Sequence, residues 1–296
     1  MKKHRLPPVL CLLISLALPL PSAFAQLFGN SLINSQIYDI NTATGAATGP
    51  RPTGTSLAGI AFQPSTGNLY GLSLGFQPNG NSLVQINPTT GATTVVGAIG
   101  LLSNIVEGDL AFNPVNGNLY GVDSSGVFFQ MNVATGAATT IGQIPSGGQG
   151  DFSALAFNAA GVLFAIDTGA VGNSILSTIN PLTGGILSSV VMNVNLGGSA
   201  GLTFDYATGT AYLADGVTGG TNLLYTLNTT TGVATGIGSL GITDMAGLAF
   251  RGPTQQTVPD AGNSAFLLGL GLAALGALFA ASGFRRSPQL IPVAHK

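Results

Sequence analysis

Hydrophobic and polar positions alternate in short blocks along most of this chain, and the blocks return at a nearly constant interval. An apolar block that ends in Ala-Phe or a close variant is followed by a turn rich in Pro, Asn and Gly, and then by Leu-Tyr-Gly or a variant of it. A period of about 45 residues is typical of repeated supersecondary units. The Phe that closes the first block recurs at spacings of 50, 45, 47 and 46, at Phe62, Phe112, Phe157, Phe204 and Phe250.

Each repeat predicts four short antiparallel strands. In the first complete repeat they occupy residues 57–62, a segment that begins with Leu69, residues 83–86 and residues 92–96. Gly in the intervening turns supplies the positive φ that tight hairpins need. No helical periodicity separates the strands. Four antiparallel strands in every 45 or so residues describe the blade of a β-propeller.

The two ends of the repeat pattern predict how the ring closes. Residues 245–250 form a first strand that no second strand follows, whereas residues 27–40 hold a second and a third strand that no first strand precedes. The fragments complete each other. We therefore predict an all-β, five-bladed propeller over residues 26–252, with the last blade closed by the N- and C-terminal strands. An open solenoid is the alternative, although its ends would need caps. Complete units begin near Leu57, Glu107, Phe152 and Ala200.

The N-terminal segment has the three parts of a secretory signal peptide. Basic residues lie at positions 2, 3 and 5, an apolar run covers residues 9–20, and Ala-Phe-Ala occupies residues 23–25. We predict that residues 1–25 are a signal peptide cleaved before Gln26. The alternative, an uncleaved anchor, needs a longer apolar run.

The C-terminal segment predicts a membrane span. Residues 253–262 form a linker, residues 263–284 are uncharged and long enough to cross a bilayer as a transmembrane helix, and residues 285–296 begin with Arg285 and Arg286. Arginines directly after a span are retained on the cytoplasmic side, which would leave the repeat domain outside.

This ending resembles the PEP-CTERM class of bacterial sorting signals in its Val-Pro-Asp-Ser/Ala-Gly variant. The motif, the span and the basic pair occur in the expected order, and the tail of residues 287–296 is longer than such signals usually have. The resemblance implies processing by an exosortase-type protease, a transient stay in the inner membrane, and delivery to the cell envelope, the surface or the medium. An ordinary type I membrane anchor is the alternative. The motif consists of Val258, Pro259, Asp260, Ala261 and Gly262.

The charge of residues 26–257 excludes one class of partner. Arg51 and Arg251 are its basic residues, against nine acidic ones, which gives a formal net charge of −7. So few cations cannot neutralise phosphates, and we expect no nucleic-acid binding. Cys11, the single Cys, lies in the predicted signal peptide, so the exported domain has no disulfide or thiolate site.

The acidic residues concentrate where the loops of one propeller face are expected. Candidate catalytic carboxyls lie just before first strands, and candidate Ca²⁺ ligands lie three residues after the aromatic of a second strand. Ser31 and Ser73 occupy the second position in the other two blades. The first set is Glu107, Asp109, Asp151 and Asp244, and the second set is Asp123, Asp167 and Asp215.

Three interpretations of this acidic face stay open. The carboxylates can cap loop amides and so shape the blades, they can hold a Ca²⁺ ion, or they can hydrolyse glycosides with Glu107 as general acid. The domain lacks His, Lys, Cys and Trp, which weakens a catalytic reading. We therefore expect a binding or structural role at the envelope or surface, and the sorting-signal resemblance implies an extracellular polysaccharide matrix or envelope proteins as partners. A carbohydrate-active or other hydrolytic propeller is the alternative function.

Overall fold

Twenty β-strands make up the fold in the computed structural model, which describes residues 26–101, 104–147, 150–169, 172–216 and 222–252. Within those ranges no helix is long and apolar enough to span a membrane. The predicted signal peptide (residues 1–25), the sorting motif (Val258–Gly262), the span (residues 263–284) and Arg285 with Arg286 lie outside the described residues. Those four predictions stay predictions.

The strands form five four-stranded antiparallel sheets, as the repeat predicts. Blade 1 has the order β20-β1-β2-β3, and blades 2 to 5 follow the chain as β4–β7, β8–β11, β12–β15 and β16–β19. The strand bounds are β1 (Gln26–Ser31), β2 (Gln36–Ile40), β3 (Ala47–Pro52), β4 (Leu57–Phe62), β5 (Leu69–Ser73), β6 (Ser82–Ile86), β7 (Thr93–Ala98), β8 (Gly108–Phe112), β9 (Leu119–Asp123), β10 (Val127–Met131), β11 (Ala138–Gln143), β12 (Phe152–Phe157), β13 (Leu163–Asp167), β14 (Ile175–Ile179), β15 (Ile186–Val191), β16 (Ala200–Phe204), β17 (Ala211–Asp215), β18 (Leu223–Leu227), β19 (Ala234–Ser239) and β20 (Met245–Arg251).

The ring closes through blade 1, which confirms the reading of the two incomplete repeats. Strand β20 pairs antiparallel with β1, and Leu27 lies opposite Phe250. The first strands of the five blades lie side by side in the order β4, β8, β12, β16, β20 and back to β4. The solenoid alternative is therefore wrong, because β20 completes blade 1 and so closes the ring.

The repeated motif is explained by the contact between neighbouring blades. In every case the Phe that ends a first strand packs against the aromatic of the second strand in the preceding blade, with ring centroids 5.2 to 5.9 Å apart. Aromatic pairs at this distance add favourable geometry to a large buried area. The five pairs are Phe28–Phe62, Tyr70–Phe112, Tyr120–Phe157, Phe164–Phe204 and Tyr212–Phe250.

The two ends of the propeller carry different kinds of connection. The turn face consists of the hairpins that join first to second strands and third to fourth strands, and Gly184 in one of them has the positive φ of 75° that such turns need. Most of these hairpins are capped by Asn, as where Asn180 Oδ1 accepts the amide of Leu182 at 2.9 Å. The mouth face consists of the loops from second to third strands and from each fourth strand to the next blade, and it carries the predicted site residues.

Candidate functional site

Five structurally equivalent residues surround the axis at the mouth face. In each blade the carbonyl of the residue just before the first strand accepts a hydrogen bond from the amide of the residue that directly follows the second strand, with N···O distances of 2.7 to 3.1 Å. Because this bond repeats five times, it fixes one position in each blade. We name these residues the mouth ring: Ser56, Glu107, Asp151, Ser199 and Asp244.

The sequence predicted three members of the mouth ring and missed two. Ser56 and Ser199 carry no charge, so neither serine stands out as a site residue in a sequence that is rich in Ser. A second obstacle is that the number of residues between this position and the Phe that closes the first strand varies. It is larger by one in β4, β12 and β20, because each of these strands contains a register shift near its start. Counting back five or six residues from the closing Phe finds all five positions.

Glu107 reaches across the mouth from blade 3 towards blade 5. Burial, the largest effect, and the nearby charge of Asp151 raise the pKa of its carboxyl to about 8, and a hydrogen bond with the Ser199 hydroxyl lowers the pKa in part. Its Oε1 atom is buried and has no hydrogen-bond partner among the described residues. Glu107 is therefore protonated at neutral pH, so that its carboxyl can donate as well as accept.

Asp151 links Glu107 to a third carboxyl. Burial and the charge of Asp167 raise the pKa of Asp151 to about 6, so this group is mostly ionised at pH 7. Asp167 is held firmly, since its Oδ1 accepts the amide of Asp151 at 2.9 Å and its Oδ2 accepts the amide of Gly147 at 2.8 Å. One side of the mouth thus places a neutral carboxyl beside an ionised one.

Asp109 differs from its predicted position, because it lies inside β8 rather than before it and does not reach the mouth. It is fully buried, and its two oxygens accept the amides of Leu110 and, in the neighbouring first strand, Leu155, at 2.8 and 3.0 Å. Burial raises its pKa well above the usual range. Asp109 therefore bonds blade 3 to blade 4 and is out of reach of a substrate at the mouth.

Three other blades have glycine where blade 3 has Asp109, because the first strands of neighbouring blades approach each other closely at this level. A Cβ on Gly201 would lie 2.6 Å from the amide nitrogen of Leu248, and a Cβ on Gly247 would lie 2.9 Å from the Cα of Gly59. Gly59 in turn faces the Asp109 backbone. The wall around the axis is therefore tightly packed at this level.

The second predicted set shapes loops within single blades. Asp123 accepts the amide of Val127 at 2.9 Å and the hydroxyl of Ser125 at 2.7 Å. Asp215 accepts the amide of Leu223 at 2.5 Å and the hydroxyl of Tyr225 at 3.0 Å. Both aspartates thus cap the first residue of a third strand.

Ser73 makes the corresponding contact in blade 2, where its hydroxyl accepts the amide of Ser82 at 3.0 Å. An uncharged Ser replacing Asp at the same turn favours a structural role for this position. Across the ranges that the structure describes, no three His, Cys, Asp or Glu side chains gather as a metal site would require. Asp123, Asp167 and Asp215 belong to three different blades and are not brought together.

Asp244, the remaining candidate, is buried and adopts a positive φ of 54°. Its carbonyl accepts the amide of Leu32 at 3.0 Å. Positive φ is tolerated by Asp more readily than by most residues, so the backbone here favours a short polar side chain. The structure thus joins Glu107, Asp151 and Asp167 electrostatically, and it assigns Asp109, Asp123 and Asp215 to packing and loop contacts.

Comparisons with known proteins assign no family to this chain. No family model matches it, and no curated protein matches it. Similar solved structures include a protein of unknown function from Bacteroides caccae (TM-score 0.48, 13% identity, covering 77% of this chain and 98% of that chain) and one of unknown function from Bacteroides thetaiotaomicron (0.48, 15%, 77% and 65%). TolB from Acinetobacter baumannii is also similar (0.43, 13%, 73% and 51%). Because no family is assigned, the chain is described by its architecture, a five-bladed β-propeller.

Proposed function

We propose that this chain is an exported propeller that binds a hydroxyl-rich neutral glycan at its mouth ring, within the cell envelope or an extracellular polysaccharide matrix. The observation that carries the proposal is the mouth ring itself, in which every blade has an oxygen-bearing residue at the same backbone position before its first strand. Protonated Glu107 and the Ser199 hydroxyl can donate hydrogen bonds, and ionised Asp151 can accept them. Sugar hydroxyls need both kinds of partner.

The charge of the domain supports a neutral ligand. Arg51 and Arg251 are the only basic residues between positions 26 and 257. Arg51 pairs with Asp39 at 2.8 Å, and Arg251 lies over the ring of Phe62 at 5.1 Å. Neither arginine is in the mouth ring, so uronate-rich or sulfated glycans would meet carboxyls and hydroxyls there but no cation, and repulsion would weaken their binding.

The proposal is tested by binding of the purified protein to neutral and to anionic polysaccharides. We expect binding to neutral glycans that falls at least tenfold in the double variant Glu107→Ala/Asp151→Ala. The matched control Thr89→Ala, which changes an exposed hydroxyl of the turn face, should bind like the parent. Equal binding by all three proteins, or a preference for anionic glycans, would contradict the proposal.

Export and sorting rest on the two terminal segments and need a separate test. Mass spectrometry of protein recovered from the cell surface of its host should show an N-terminus at Gln26 and no peptide from residues 264–283. Intact recovery of that segment would favour the ordinary membrane anchor instead of exosortase-type processing. This outcome is independent of glycan binding, so either half of the proposal can fail alone.

A glycoside hydrolase is the second candidate, and one observation favours it. At pH 7 a protonated carboxyl (Glu107) lies beside an ionised one (Asp151), which is the division into acid and base that glycosidases use. If this is the function, Glu107→Gln and Asp151→Asn should each abolish release of reducing sugar from a bound glycan and leave binding within threefold. Binding without any release by the parent protein would eliminate this candidate.

A further inference from the structure

The outermost strand of blade 4, β15, differs from the other four outermost strands at two exposed positions. The second residue of this strand is Thr in every other blade, whereas in β15 it is Leu187. The last residue is Pro, Ala, Gln or Ser in the other blades, whereas in β15 it is Val191. Both side chains are 66% exposed. Four blades form without a large aliphatic side chain at either position, so the needs of the fold do not explain these two.

The backbone of β15 is also more regular than that of the other outermost strands. β7, β11 and β19 each have an extra residue at the fourth of their six positions, and β3 is irregular in its middle. In β15 the extra residue is Leu187, so residues 188–191 pair with β14 without interruption. Val95 of β7 is also exposed, but it lies directly beside the register shift. A bulge twists an edge strand away from an incoming strand, and β15 lacks this protection along most of its length.

The edge that β15 forms is unpaired and uncharged. The sheet has the order β12-β13-β14-β15, so β15 ends it. An end strand directs every second N–H and C=O outward, and proteins commonly protect such edges with Pro or charged side chains. β3 has both, in Pro50, Arg51 and Pro52, whereas no charged residue occurs between positions 168 and 204. Two copies with a formal net charge of −7 over residues 26–257 can therefore approach at this edge without local repulsion.

We propose that β15 is a homodimer interface, at which two copies of this chain pair their β15 strands antiparallel about a twofold axis. Antiparallel pairing brings the start of one strand to the end of the other, so Leu187 of each copy contacts Val191 of the other copy. Two four-stranded blades then form one eight-stranded sheet, and both exposed edges are used up, which closes the assembly as a dimer.

The size of this interface sets the expected affinity. Two six-residue strands form an interface at the low end of the range for specific complexes, so we expect a dissociation constant of roughly 1–100 µM. The mouth ring is not part of this interface. The dimer therefore depends neither on glycan binding nor on export.

The first test measures the oligomeric state of the purified protein by sedimentation velocity over about 1–300 µM, which spans the expected dissociation constant. The edge variant is Leu187→Thr/Val191→Ser, which gives β15 the residues that β19 has at the same positions. The matched control is Val115→Thr, which removes a 70% exposed apolar side chain from the turn between β8 and β9. Urea unfolding of all three proteins checks that the variants are folded.

We expect a monomer–dimer equilibrium in the parent and the control, and a dissociation constant at least tenfold higher in the edge variant. A parent that stays monomeric at every concentration would overturn the proposal. So would a dimer that the edge variant leaves unchanged, a loss of the same size in the control, or association of the parent into open-ended oligomers.

A second test identifies the strand directly by a disulfide between copies. Cys11 is first replaced by Ser, so that an introduced thiol is the only one. Facing Cα atoms of an antiparallel pair lie about 4.5–5.5 Å apart, a separation that a disulfide can bridge. Under mild oxidation Ser189→Cys, in the middle of β15, should form at least fivefold more dimer than Thr139→Cys, at an exposed position of β11. Equal yields from the two thiols would contradict pairing through β15.

Discussion

The pKa of Glu107 gives the most direct quantitative prediction. Because folding raises this pKa from 4.5 to about 8, the folded protein retains a proton that the unfolded chain releases above pH 4.5. The group therefore contributes its full stability below about pH 4.5 and loses it as the pH rises through about 8. We predict that the free energy of unfolding falls with rising pH between those two values.

The size of the effect follows from the same shift. At about 1.4 kcal/mol per pKa unit the ceiling is about 5 kcal/mol. Because Glu107 is partly exposed, solvent screening should reduce the loss to about 2–3 kcal/mol. For a domain of this size that corresponds to a melting temperature lower by roughly 5–10 °C at pH 9 than at pH 5.

The assay is urea unfolding of the parent protein and of Glu107→Gln at several pH values from 5 to 9. Gln keeps the shape and can still bond Ser199, but it cannot ionise, so the variant should be the more stable protein at pH 9 and similar to the parent at pH 5. Asp151→Asn is the comparison, because the pKa of Asp151 is raised only to about 6 and its removal should act mainly below pH 7. Parallel losses of stability in the parent and Glu107→Gln between pH 7 and 9 would refute the reasoning.

Two further predictions concern the wall around the axis. Gly247→Ala should cost about 1–3 kcal/mol, because its Cβ would lie 2.6 Å from Oδ1 of Asn30 and 2.9 Å from Cα of Gly59. Gly252→Ala should be neutral by the same urea assay, because no atom of the described residues beyond its chain neighbours lies within 4 Å of the added Cβ. Asp109→Ala should cost about 2–4 kcal/mol, since it removes the acceptors of two buried amides. Faster hydrogen exchange at the Leu155 amide would accompany this loss, and Asp109→Asn should recover part of it; unchanged exchange would mean that the amide does not depend on Asp109.

Much of the fold could be predicted from the sequence because the strand pattern within each blade and the aromatic contacts between blades recur with the same period. The Phe of each first strand and the aromatic of each second strand recur at fixed places, and the five ring contacts between them, such as Tyr70–Phe112, are the physical cause of that recurrence. The pairing of β20 with β1 could likewise be inferred, since two incomplete repeats that complement each other leave one way to satisfy their edges.

The candidate site was less predictable, because acidic residues at similar sequence positions reach different environments. Asp109 and Glu107 are two residues apart, yet one carboxyl is enclosed between two first strands and the other extends over the mouth. Register shifts at the start of three first strands also hide the equivalence of Ser56 and Ser199 with the acidic members of the ring. Such a shift inserts one residue into one strand of a pair, and in these three strands it leaves no clear local signal in the sequence.

The sequence by itself determined the number of blades, the closure of the ring and the face on which acidic residues gather, because those depend on periodicity and on alternation along strands. Only the tertiary structure decided which carboxyls meet. The raised pKa of Glu107 and its contact with Ser199 two blades away both depend on distances between blades. Those distances are fixed by how closely the five first strands approach the axis.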